Sequence, residues 1–227
     1  MLLSNVSRGD ALIVAIKLLI ISSVASLNCL LIQHNIYTKA NLGVQYVNKD
    51  LVRFETINFI VTILNIVAAA FFFIVFIVWF YRAYVNMQSL DTRLNDSKYW
   101  IIFGWFLPVF NLVMPYRLLN KMTISAVLYI HKNTSTRLKK FRSYWILLLW
   151  VSFLLIYLLR LYQYSIATRV DVMFIIELGI IINALSLLTL FVFASYFSFY
   201  RKMEALIYKL EHENKDESAN CIELVRE

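Results

Sequence analysis

Residues 57–81 read INFIVTILNIVAAAFFFIVFIVWFY and contain no charged side chain. An α-helix rises about 1.5 Å per residue, so this stretch is long enough to cross the ~30 Å hydrocarbon core of a bilayer. Three further stretches, 11–32, 144–164 and 172–200, are comparably apolar. The sequence therefore predicts an all-α, polytopic integral membrane bundle with four spanning helices.

The composition of the whole chain supports the same class. Of 227 residues, 61% are apolar and 16% are charged, whereas soluble domains are about 45–50% apolar and about 25% charged. This excludes a soluble globular enzyme and a disordered chain. The net charge of +8 is typical of a membrane protein with basic cytoplasmic loops, so we expect no nucleic-acid partner.

One apolar stretch differs from the others. Residues 99–119 read YWIIFGWFLPVFNLVMPYRLL, with Pro108 near the middle and Pro115 near the end. Proline removes a backbone donor and bends or ends a helix. From Trp100 to Pro115 a single helix would rise only about 24 Å, which is less than the hydrocarbon core. We predict a proline-bent re-entrant segment, with a short fifth span as the alternative.

The distribution of basic residues predicts the orientation. With four spans, 16 Lys and Arg fall on one side and 4 on the other; with five spans the division is 15 to 5. The count does not choose between the two topologies, but in both it places residues 117–142 and the C-terminus in the cytoplasm. We predict a cytoplasmic (inner) membrane protein with both termini inside. A single transmembrane domain, 1–202, precedes an acidic amphipathic tail, 203–227.

Two motifs lie on either side of the loop that follows the second span. Residues 79–86 read WFYRAYVN and residues 105–115 read WFLPVFNLVMP. The pattern W-F-x-R-x-x-x-N, then W-F-x-P-x-x-N-L-x-x-P, resembles a family of bacterial membrane proteins known as domain of unknown function 4328. The resemblance is sharp over residues 79–121. It implies a helix pair, the motif segment and a second helix pair, and it implies no activity.

The motif supplies the first candidate site. Its polar, aromatic and proline residues are Arg82, Asn86, Trp105, Pro108, Asn111, Pro115 and Arg117. Proline leaves carbonyl groups without intrahelical donors, and amide or guanidinium side chains can donate to them. The segment either lines a polar path or binds a lipid headgroup, or else the prolines only shape a buried turn.

Arg160 and Glu177 form the second candidate site. They are expected at similar depth on consecutive helices, and a charge in hydrocarbon is costly, so we predict an intramembrane ion pair. It would be either a proton or ion relay or a structural pair. Four amides within or near the spans are expected to form interhelical hydrogen bonds. They are Asn28, Asn58, Asn65 and Asn183.

A basic loop forms the third candidate site. Residues 97–170 contain no Asp or Glu and ten Lys or Arg. Four of these cations are interleaved with apolar residues: Arg137, Lys139, Lys140 and Arg142. Each cation near anionic lipid contributes about 1 kcal/mol, so the loop is expected to contact anionic headgroups; an acidic protein partner is the alternative. We expect apolar residues 122–130 to lie along the membrane surface. Aromatic residues at the span ends, Trp79 among them, predict interfacial belts.

No catalytic motif is recognisable, and the two cysteines have no metal-ligand spacing. We therefore predict a protein that is not an enzyme and that has no metal and no cofactor. It would act as a scaffold, regulator or accessory subunit, through self-assembly or with a membrane-protein partner. The alternative is a small channel or transporter with a path lined by residues 108–115. An enzyme acting on lipid has the least support, because no nucleophile or base can be named.

Single-cysteine variants test the topology. After removal of Cys29 and Cys221, cysteines are placed at Ser7, Ser89 and Ser135. We expect all three to be shielded from a membrane-impermeant thiol reagent in intact cells, because a re-entrant segment returns the chain to the cytoplasm. Labelling at positions 7 and 89, with none at 135, would instead show a fifth span.

Overall fold

The computed structural model describes residues 2–105, 113–134, 144–168 and 170–224. In these ranges the chain forms six helices. They are α1 (Val6–Asn41), α2 (Asn48–Gln88), α3 (Lys98–Phe103), α4 (Met114–Asn133), α5 (Tyr144–Ile166) and α6 (Val172–Leu224).

Four of the described helices are long and apolar enough to cross a membrane. The candidate spans are Val6–Asn41, Asn48–Gln88, Tyr144–Ile166 and Val172–Glu213. Many large apolar side chains on these helices, such as Phe59 and Leu158, are exposed. In water this would be unfavourable, but an apolar helix surface is the surface that lipid requires. The prediction of an all-α, multi-span membrane protein is confirmed.

The stretch 99–119 is not one continuous helix. Helix α3 ends at Phe103 after six residues, and α4 begins at Met114. Pro115 lies in the first turn of α4, where its missing N–H has no intrahelical acceptor to lose. The bend expected at Pro108 falls within residues 106–112, which lie outside the described residues.

Helix α4 is amphipathic. Its buried side chains recur every three or four residues: Pro115, Leu118, Leu119, Met122, Ala126 and Ile130. The last three are completely buried within the protein. Residues 122–130 are helical as part of α4, and their position along the membrane surface stays a prediction. Their apolar stripe is covered by other helices, which removes it from lipid as well as from water.

The chain divides into two compact units. The motif unit comprises Met1–Asp10, Phe76–Leu147 and Ser195–Glu227. The span unit comprises Ala11–Val75 and Leu148–Ala194.

Amide hydrogen bonds join helices in the span unit. Asn65 donates to two serine hydroxyls of α1, each at 3.2 Å. Asn183 donates to the hydroxyl of Ser26 at 3.1 Å. Asn28 instead donates to a carbonyl of its own helix. Two of the four predicted amides therefore join helices across an apolar environment, where each such bond contributes about 1 kcal/mol or less.

The core of the motif unit is aromatic. The Trp79 ring is completely buried and meets Phe197 and Tyr200 edge-on, with centroids 4.9 and 5.6 Å away. The expectation that Trp79 belongs to an interfacial belt is therefore wrong. An aromatic residue at the end of an apolar stretch suits a helix–helix core as well as a headgroup layer.

The close approach of α3 and α4 requires glycine at position 104. A Cβ there would lie 2.7 Å from the Trp100 carbonyl oxygen and 3.2 Å from Met114 Cβ. We expect Gly104→Ala to lower the free energy of unfolding by about 1–3 kcal/mol, because the added methyl group overpacks this contact. Thermal unfolding of the purified protein in detergent, followed by tryptophan fluorescence, measures the change.

Gly9→Ala is the matched control. Its Cβ would have Arg201 Nε as nearest neighbour, at an ordinary contact distance of 3.6 Å, and alanine is the better helix former by about 1 kcal/mol. This variant is expected to be neutral or stabilising. If both variants unfolded at the temperature of the original protein, the contact at Gly104 would not constrain the fold.

Candidate functional site

The two halves of the motif meet in the motif unit. Trp105, which follows α3, packs edge-on against Phe76 and Phe80 of α2, with centroids 4.9 and 5.5 Å apart. The rings are nearly perpendicular, at 81° and 78°. Edge-to-face pairs contribute about 0.5–1.5 kcal/mol beyond their buried area. The turn after α3 is thereby fixed on the C-terminal part of α2.

The first motif half also holds the beginning of the chain, residues 2–5, which we call the N-terminal strap. Asn86 Nδ2 donates to the Leu3 carbonyl at 2.9 Å, and the Leu3 amide donates to Asn86 Oδ1 at 3.3 Å. Asn5 Nδ2 donates to the Trp79 carbonyl at 3.3 Å and to Glu204 Oε1 at 2.9 Å. The predicted site residue Asn86 is therefore a tether for the strap.

A second polar group joins α2 to α4 and is called the Asp96 hub. The Asp96 carboxylate accepts hydrogen bonds from the Tyr84 hydroxyl at 2.6 Å and from Lys121 Nζ at 2.8 Å. Gln88 donates to the Asp96 carbonyl at 2.6 Å. The Asp96 side chain is only 10% exposed. Charge-assisted hydrogen bonds of this kind are about twice as strong as neutral ones.

The electrostatics of the hub favour the charged carboxylate. Burial by itself raises the pKa of Asp96, but the hydrogen bonds from Lys121 and Tyr84 outweigh that effect. The nearby charge of Arg117, a predicted site residue, acts in the same direction. The pKa of Asp96 therefore lies below its ordinary value, and the carboxylate is ionised at neutral pH.

Two further polar contacts lie in the motif unit. Ahead of α3, Arg93 donates to Asp91 through two nitrogens at 2.8 Å, and this guanidinium holds the pKa of Asp91 below its ordinary value. Near the end of α4, Tyr129 donates to Glu211 of α6. Burial and that carboxylate raise the pKa of Tyr129. The Tyr129 contact therefore joins α4 to α6, whereas the Asp91–Arg93 pair lies within the connection between α2 and α3.

The remaining motif residues take different positions. The Arg82 Nε is buried, and no acceptor for it lies among the described residues. Pro115 is buried at the start of α4, and Arg117 is exposed. Six predicted site residues lie outside the described residues: Pro108, Asn111, Arg137, Lys139, Lys140 and Arg142.

Arg160 and Glu177 do not pair with each other in the described structure. Arg160 donates to Gln163, one turn along α5, at 3.2 Å. Glu177 lies 3.5 Å from His34 Nε2 of α1. Similar depth along two helices does not ensure that two side chains face each other, because successive residues are offset by about 100° around the helix axis.

The residues that carry most of the polar contacts were not predicted from the sequence: Asn5, Tyr84, Asp96, Lys121 and Glu204. A signal existed for Asp96, since it is the last acidic residue before a long acid-free stretch with ten cations. No local signal joins Asn5 to Glu204, which are 199 positions apart. Within the described ranges, no three His, Cys, Asp or Glu side chains gather as metal ligands would.

A protein-family model matches residues 47–201, and its description is "Domain of unknown function (DUF4328)". The match covers both motif halves and more than half of the chain. It confirms the resemblance that the motif residues carry. No match was found among curated proteins or among solved structures.

Neutralising the Asp96 hub tests its contribution. We expect Asp96→Asn to lower the free energy of unfolding by about 1–3 kcal/mol at pH 7, because Lys121 then loses its anionic partner inside the protein. Asp10→Asn is the control, since Asp10 pairs with Arg201 at a largely exposed position and such pairs contribute about 0–1 kcal/mol.

The hub also predicts a pH dependence with a definite sign. Because the folded pKa of Asp96 is lowered, its stabilising contribution is complete above the unfolded pKa of about 3.9 and is lost as the pH falls towards the folded pKa. The stability difference between the original protein and Asp96→Asn should shrink below about pH 4. A difference that stayed constant down to about pH 2 would contradict an ionised hub.

Proposed function

The chain belongs to the DUF4328 family of unknown function, and from this premise we propose that it is a non-enzymatic membrane scaffold or accessory subunit that works by assembling with copies of itself. The observation that carries the proposal is the length of α6. This helix has 53 residues, so it is about 80 Å long, whereas the hydrocarbon core is about 30 Å thick. About 30 residues of continuous helix therefore extend beyond what the bilayer needs.

The charge of this extension supports an assembly role. Residues 203–227 contain seven acidic and three basic residues. Met203 and Ile207, one turn apart, are buried in the motif unit, so the extension begins from a packed base. Because this charged helix starts from a packed base, its surface keeps a constant direction. A fixed surface loses less conformational entropy on binding than a flexible tail does, which favours specific docking.

A segment of complementary charge is present in the same chain. The basic loop around residues 137–142 contains four cations and no acid, and the positive-inside rule assigns it to the same side of the membrane as the C-terminus. We propose that the acidic extension of one copy binds the basic loop of the next. This contact joins opposite charges and is weakened by salt.

Deletion of residues 212–227 tests the proposal and keeps Glu211, the partner of Tyr129. We expect the full chain to be at least a dimer in mild detergent at low salt. The truncated chain should contain fewer copies per particle, as measured by light scattering after size-exclusion chromatography. A variant of full length, with the acidic residues after position 212 changed to amides, should behave like the truncation, because the charges and not the length carry the contact.

Two outcomes would contradict the proposal. The first is an equal number of copies per particle for the full, truncated and amide-substituted chains at both low and high salt. The second is ion flux in liposomes that Asn111→Leu abolishes, since that would favour a channel lined by residues 108–115.

A further inference from the structure

The motif unit contains a cavity of about 230 Å³. It lies between the N-terminal strap, the last turns of α2 and the part of α6 around Glu204. Its walls are mainly apolar and include Leu2, Val6, Ala83, Met87 and Ile207. Apolar cavities of about 150 Å³ are large enough to bind benzene, so this one has room for about eight carbon atoms.

One cavity-lining residue carries an acceptor that has no donor. Asn5 is only 5% exposed. Its Nδ2 donates to the Trp79 carbonyl and to Glu204, while its Oδ1 is buried and has no hydrogen-bond partner among the described residues. The opposite amide orientation would place Oδ1 against two acceptors, so the hydrogen bonds fix the orientation. This oxygen is closed off from the cavity as well as from solvent, so a ligand in the cavity does not reach it.

The same wall carries a carboxylate. Glu204 lines the cavity, and in the described part of the chain no cation lies within ion-pair distance of it. Arg201 also reaches the cavity, but its direct partner is Asp10 at 2.5 Å. The positive charge of Arg201 lies beyond ion-pair distance of Glu204. The Trp79 indole N–H makes no hydrogen bond to a described residue. The cavity therefore combines an apolar interior with a negative, accepting wall.

We propose that this cavity binds a primary alkylammonium ion. The alkyl chain fills the apolar interior, and the ammonium donates to the Glu204 carboxylate. A primary ammonium has three donors and one positive charge, which suits a carboxylate acceptor on an apolar wall. A free amphiphilic amine fits better than an aminophospholipid, because a phosphate group separates the ammonium from the acyl chains of such a lipid. The proposal does not depend on self-assembly.

Photolabelling of the full chain in phosphatidylcholine nanodiscs tests the proposal. The probe is n-octylammonium with a diazirine on its alkyl chain, and mass spectrometry locates the label. We expect labelling within residues 2–9, 83–90 and 200–208. Unlabelled alkylammonium ions should compete more strongly as the chain lengthens to about eight carbons and no further. Octanol and octanoate should compete about tenfold more weakly or worse, since they lack the cation.

Three variants complete the test. Glu204→Gln keeps the shape of the side chain, so it should weaken competition by octylammonium about tenfold and leave octanol unchanged. Ala205→Phe, at an exposed position beside the cavity, should block both compounds. Glu55→Gln, at an exposed position of α2 far along the chain from the cavity, should change neither.

Three results would overturn the proposal. One is a label spread over the lipid-facing helices. Another is equal competition by octanol and octylammonium. The third is unchanged octylammonium binding in both Glu204→Gln and Ala205→Phe. The Ala205→Phe variant keeps the test decisive if Glu204→Gln unfolds.

Discussion

The motif unit depends on one buried carboxylate. Asp96 lies in the connection between α2 and α3 and binds Tyr84 of α2 and Lys121 of α4. A buried charge is tolerated only when it is paired and hydrogen-bonded. The three side chains therefore have to meet at one point, which fixes α4 against the end of α2. The apolar stripe of α4 can then pack inside the unit instead of facing lipid.

The long helices could be predicted because a bilayer leaves few alternatives. Lipid offers no hydrogen bonds to the backbone, so an uncharged stretch such as residues 57–81 has to be helical. The environment of each apolar face could not be predicted in the same way. Trp79, Met122 and Ile130 are as apolar as a lipid-facing surface, but the structure buries them in protein. Composition reports that a side chain avoids water, and it does not report whether lipid or protein replaces the water.

The candidate site was predictable only in part, for a related reason. Asn86, Trp105 and Arg117 belong to a local pattern, and the structure places them in one unit. The contacts that use side chains from distant parts of the chain have no such pattern: Asn5 reaches Glu204 across 199 positions. For Arg160 and Glu177, the sequence predicts how deep each residue lies along its helix. It does not predict the direction in which each side chain points around the helix axis.

The N-terminal strap combines two kinds of recognition. Asn86 binds backbone atoms of Leu3, so that contact is indifferent to the side chain at position 3. Asn5 binds through its own amide, so that contact depends on the residue at position 5. The strap lies outside the family match at residues 47–201. Its contacts to Asn86 and to the Trp79 carbonyl reach motif residues inside the match, whereas its contact to Glu204 does not. The Asn86 tether therefore needs only a backbone, whereas the contact between Asn5 and Glu204 depends on two side chains outside the match.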